Sequence, residues 1–141
     1  MRVRSLRRVG AAITAALMMT VLIPTVAQAA VPECTDTVDV RMSGGGLATL
    51  PARAGSVNCY LQQRNPVQQQ SGTILLQQAL SQCHGFFLDA DGYYGAATTA
   101  AVKSFQRSRG LTADGVYGAQ TRAAMSWPTG IFSVDPACQR M

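Results

Sequence analysis

Few side chains in this 141-residue sequence are suited to chemistry: one histidine, His84, and four cysteines, Cys34, Cys59, Cys83 and Cys138. A zinc site or a cysteine nucleophile needs a thiolate held beside a second ligand or a base. No C-x-x-C pair occurs, and His84 directly follows Cys83, so on a helix the two side chains point in different directions. Asp89-Ala90-Asp91-Gly92 begins like a calcium loop, but Tyr93, Tyr94, Gly95, Ala96, Ala97 and Thr98 follow, without the oxygen ligands and terminal acid such a loop requires. No carboxylates cluster outside that turn to make a glycosidase pair, and no Ser-His-Asp set can be composed around the single histidine. The expectation is a protein without a catalytic site, a metal or a cofactor.

The amino terminus explains most of the charge. Arg2, Arg4, Arg7 and Arg8 precede an apolar run from about Val9 to Val26, Pro24 interrupts its end, and Ala27-Gln28-Ala29-Ala30 supplies small residues for cleavage. This order predicts a secretory leader over residues 1–29, removed after Ala29, with no membrane segment left afterwards. Those four arginines leave with it, so eight basic side chains then face seven acidic ones and the net charge falls from +5 to +1. The basic balance therefore belongs to the leader and gives no argument for nucleic-acid binding. Outside the membrane, four cysteines predict two disulfides. Three pairings exist, and Cys34–Cys59 with Cys83–Cys138 is expected because each pair staples one segment of the chain.

These groups must be positioned by two zones of different composition. Residues 30–70 form a cysteine-flanked segment and linker. In it, Thr37 to Met42 alternates, Ser43-Gly44-Gly45-Gly46 turns, and Leu47 to Leu50 returns, which predicts a β-hairpin. The polar stretch from Gln62 to Gly72 reads as a connector into a second unit over residues 71–141. There Leu75, Leu76, Ala79, Leu80 and Cys83 form one helical stripe ended by Gly85, and Ala97, Ala101, Val102 and Phe105 form another ended near Gly110. A third, shorter helix is predicted from about Ala119 to Met125. The fold class expected is mainly α: a three-helix bundle with a short N-terminal β-hairpin and two disulfides.

One pattern is written twice, 23 residues apart. Asp91-Gly92-Tyr93-Tyr94-Gly95-Ala96-Ala97-Thr98 and Asp114-Gly115-Val116-Tyr117-Gly118-Ala119-Gln120-Thr121 each place a tight Asp-Gly turn before a helix start with a threonine in its first turn. With Leu76-Gln77, Ala101-Val102, Phe105-Gln106 and Gly110-Leu111, the spacing resembles the peptidoglycan-binding domain 1 family, over roughly residues 73–127. Thr73 departs from that pattern where an aliphatic residue is usual, and Cys83-His84 lengthens the stretch before Gly85. The whole layout also resembles small exported proteins of actinomycetes.

The resemblance implies a small helical module that binds cell-wall glycopeptide, here as a secreted or wall-associated protein without catalysis. Such a ligand needs flat aromatics, amide partners and a cation for carboxylates. Tyr94, Tyr117, Gln106, Arg107, Arg109 and Arg122 are the candidate binding residues. Tyr94 and Tyr117 could equally pack in the core with an exposed hydroxyl, Tyr93 is expected to pack, and Gln106 has loop backbone as a competing partner. Arg107 and Arg109, with Lys103, also read as the solvated face of a helix. The alternative to peptidoglycan as partner is an exported wall hydrolase that the module docks on or inhibits.

Overall fold

The structure, a computed structural model, describes residues 30–130 and 137–141. The leader predicted over residues 1–29 lies outside the described residues. No helix among the described residues is long and apolar enough to cross a membrane.

The hairpin forms as its alternation predicts. Strand β1 (Asp36–Arg41) pairs antiparallel with β2 (Leu47–Ala52), with Val38 opposite Leu50 and Val40 opposite Ala48. The outer strand stays solvated, whereas β2 buries Ala48, Leu50, Pro51 and Ala52. That buried face meets α1 (Ser71–His84), whose Leu76, Ala79 and Leu80 recur at helical spacing and are fully buried. Gly85 ends the helix in the left-handed conformation at φ 71°, and Phe86 N–H bonds back to the Leu80 carbonyl at 3.1 Å. Helix α2 (Ala96–Ser108) buries Ala101, Val102 and Phe105, and closes with Leu111 N–H on the Gln106 carbonyl at 2.9 Å. Helix α3 (Ala119–Ala124) follows.

The three expected helices are accompanied by more sheet than the N-terminal hairpin alone. A second antiparallel pair, β3 (Trp127–Thr129) with β4 (Ala137–Gln139), packs Trp127 into the core. The described residues form a mixed assembly of three helices and two small sheets, and α1 makes its most extensive contact with β2. The N-terminal zone shares this core: Cys34, Met42, Leu50, Cys59 and Leu61 belong to one buried cluster with Leu76, Leu80, Phe105 and Trp127. Each such fully buried leucine contributes about 1.5–3 kcal/mol, so the connector does not divide two independent cores.

Both disulfides have the expected partners, Cys34–Cys59 and Cys83–Cys138. The first closes the hairpin segment. The second ties the end of α1 to β4, and β4 in turn holds the hairpin tip, where Gly46 N–H donates to Gln139 Oε1 at 3.2 Å and Ser43 bonds the Arg140 carbonyl.

Candidate functional site

The repeated motif builds one device twice. In the first copy Gln77 Nε2 donates to Asp91 Oδ1 (2.8 Å), the Tyr93 carbonyl (3.2 Å) and Thr98 Oγ1 (3.0 Å), and its Oε1 accepts Gly92 N–H (2.9 Å). In the second, Gln106 makes the same contacts with Asp114 (2.7 Å), Val116 (3.0 Å), Thr121 (3.1 Å) and Gly115 N–H (2.9 Å). Each aspartate also accepts a backbone N–H two residues on, from Tyr93 and from Val116. The glutamine carboxamide thus locks an Asp-Gly turn to the first turn of the following helix. Those bonds favour the ionised Asp91, so its carboxyl is held below the usual carboxylate range, first by Tyr93 N–H and then by Gln77.

Each device leaves a cleft beside it. The first, about 260 Å³, is lined by Gln77, Asp91, Tyr93 and Gly95 to Thr98, with Phe87, Leu88 and Asp89 closing its outer side. The second, about 330 Å³, is lined by the matching residues Gln106, Asp114, Val116 and Gly118 to Thr121, with Leu111 and Thr112 outside. Their chemistry differs. The Phe87 ring is fully exposed and Tyr93 is 45% exposed, whereas Val116 and Leu111 in the second cleft are aliphatic and half-buried. A further cavity of about 470 Å³, lined by Ser81 and Gly85 to Asp89, adjoins the first and shares Phe87, Leu88 and Asp89 with it.

The residues proposed from sequence do not assemble into one face. Tyr94 and Tyr117 are buried, hydroxyls included, which corrects the expectation that they stack on a ligand or expose a hydroxyl. Tyr94 donates its hydroxyl to the Gly115 carbonyl at 2.8 Å, cross-linking the two copies, and Tyr117 packs edge-on against Trp127 with ring centroids 5.9 Å apart. Burial raises both phenol pKa values, opposed at Tyr117 by the Arg122 guanidinium. Gln106 is buried at its turn, with its carboxamide engaged by Asp114, Val116, Thr121 and Gly115. Arg107 is exposed on α2 and bonds Ser104, Arg109 lies over the Phe105 ring at 5.4 Å, and Arg122 donates to the Val57 carbonyl. None of the three lines the aromatic cleft.

Tyr93 reverses its expectation and faces solvent, joined by Phe87, which the sequence reading passed over. Its signal was the unequal spacing of the copies: six positions separate Gly85 from Asp91 but four separate Gly110 from Asp114, and the longer loop holds Phe86-Phe87-Leu88. The polar connector backs this corner. Gln70 N–H bonds the Gly92 carbonyl at 2.9 Å, and Gln69 Nε2 bonds the Asp91 carbonyl at 2.9 Å.

Comparison with known proteins places this geometry. The model of the family described as "Putative peptidoglycan binding domain" matches residues 69–125, which enclose both turns, both glutamines and the aromatic cleft. Among solved structures, the crystal structure of the SleB N-terminal domain is similar at 31% identity, over 46% of this chain and 85% of that one, with a TM-score of 0.41. Curated protein sequences give no match. Residues 69–125 of this chain thus match the peptidoglycan binding domain family.

Proposed function

We propose that this protein is a secreted, non-catalytic binder of peptidoglycan that holds the wall polymer at the cleft beside the first Asp-Gly turn. The observation that carries the reading is the pair Phe87 and Tyr93, two exposed aromatic rings on one cleft inside the family-matched segment. Exposed apolar rings grouped on one concave surface are characteristic of ligand-binding sites. The Gln77 junction keeps the Tyr93 backbone fixed, so little conformational entropy is lost on binding.

The acid groups of the site support a non-catalytic role. Glycoside hydrolysis needs one carboxyl with a raised pKa to donate a proton. Asp91 is displaced in the opposite direction by its turn bonds, with Tyr93 N–H and the Gln77 carboxamide holding it in the ionised form. Two disulfides suit an oxidising compartment, in keeping with export to the wall. A single small cleft binds weakly, and the dense repetition of the wall polymer compensates through rebinding.

Co-sedimentation of the oxidised protein with purified, protein-free wall sacculi tests this reading. The protein is expected in the pellet, with no release of soluble wall fragments. Protein left in the supernatant would overturn it and favour docking on an exported wall hydrolase.

A further inference from the structure

Resting on the peptidoglycan reading, we propose that the part of the polymer recognised is the uncharged face of its N-acetylhexosamine strand, laid across Phe87, and not the carboxylate-bearing stem peptide. Three observations lead there. First, Phe87 and Leu88 form a shared wall between two adjoining cavities, about 260 Å³ towards α2 and about 470 Å³ towards α1. A linear ligand crossing the ridge contacts both cavities and covers the fully exposed Phe87 ring. A pyranose offers such a ring a flat array of C–H groups.

Second, no lysine or arginine lines either cavity. The charged groups there are Asp89 and Asp91, and Asp91 is held ionised by its turn. A carboxylate ligand in this setting meets like charge without a cation to receive it. The basic candidates Arg107, Arg109 and Arg122 all lie on other surfaces.

Third, the carboxylate of Asp89 is exposed on the shared wall and has no hydrogen-bond or ion-pair partner among the described residues. A free carboxylate beside an aromatic ring suits hydroxyl and amide N–H donors, and a neutral N-acetylated sugar carries both. Ring and carboxylate together select a polar, uncharged, flat ligand.

Displacement from sacculi distinguishes the two parts of the polymer. Oxidised protein bound to sacculi is challenged with an N-acetylglucosamine hexamer, which is uncharged, or with free stem peptide at equal concentration. The hexamer is expected to release the native protein and the stem peptide to leave it bound. An Asp89→Ala variant should need at least threefold more hexamer for half-binding, measured directly by titration, while its thermal midpoint stays unchanged. Release by stem peptide, or by neither probe, would overturn the glycan assignment while leaving wall binding intact. Failure of the native protein to pellet with sacculi would overturn both.

Discussion

The carboxamide of Gln77, midway along α1, donates to the hydroxyl of Thr98 in the first turn of α2 at 3.0 Å. The same side chain accepts Gly92 N–H and reaches Asp91 and the Tyr93 carbonyl, so one buried amide satisfies four groups of a turn. Gln77→Leu keeps the volume and removes every bond, leaving the buried Gly92 N–H and Thr98 hydroxyl without it. The expected loss is about 2–4 kcal/mol, from the cost of unsatisfied buried groups. Urea denaturation checks this, and Gln106→Leu, which strips the equivalent turn, should lose a comparable amount.

That junction shows what the sequence made legible. The doubled Asp-Gly pattern, the glycine stops and the two helical stripes are local signals, and the structure contains the turns and helices they imply. The hairpin was legible from alternation around Gly44-Gly45-Gly46. The β3–β4 pair was not, because its strands have three residues each and show no usable period. Nor was the burial of Tyr94 and Tyr117. A tyrosine is compatible with core and surface alike, and only the Gly115 carbonyl, 21 residues away, decides for Tyr94. Periodicity also cannot show that Leu50 and Leu61 complete the same core as Leu76.

The two turn glycines share a backbone conformation but not surroundings. Gly92 and Gly115 have φ of 80° and 79°, a region that costs other residues roughly 1–2 kcal/mol. A Cβ on Gly92 would also lie 2.7 Å from Gln69 Cγ and 3.2 Å from the Gln70 carbonyl, within a connector fixed by its own bonds. On Gly115 its nearest contacts are Lys103 Cε and Thr99 Cγ2, both at 2.9 Å, and no backbone atom is among the three nearest. Gly92→Ala should therefore lower the thermal midpoint more than Gly115→Ala.

The disulfides should differ in the same direction as the loops they close. Cys83–Cys138 spans 55 positions and Cys34–Cys59 spans 25. Loop-closure entropy gives about 4 kcal/mol for the longer and about 3.5 kcal/mol for the shorter. Paired Cys→Ser variants compared by denaturant titration should show both losses, and removal of Cys83–Cys138 should also increase protease sensitivity at β4.

His84 makes stability depend on pH. It ends α1, packs on Phe105 with ring centroids 4.7 Å apart, and its Nε2 lies 3.1 Å from Ser126 N–H. Burial lowers its pKa below the ordinary 6.5, Arg109 and Arg140 lower it further, and the Ser126 carbonyl opposes them. The unfolded chain therefore binds this proton more readily than the folded one. The stabilisation is complete above pH 6.5 and is lost as pH falls below it towards the folded value. The thermal midpoint should drop between about pH 7 and 5, a range above ordinary carboxylate titration. In His84→Gln that drop should be smaller.

Phe87 and Tyr93 are the proposed contacts to the wall. Substituting the buried Tyr94 or Tyr117 would confuse binding with unfolding, whereas Phe87 and Tyr93 are exposed and can be truncated with little effect on the core. The decisive measurement is a sacculus-binding isotherm for the native protein and for the double variant Phe87→Ala, Tyr93→Ala, with equal thermal midpoints verified beforehand. Saturable binding is expected for the native protein, weakened at least tenfold in the variant. Equal binding by the two would contradict it and move the site away from this cleft.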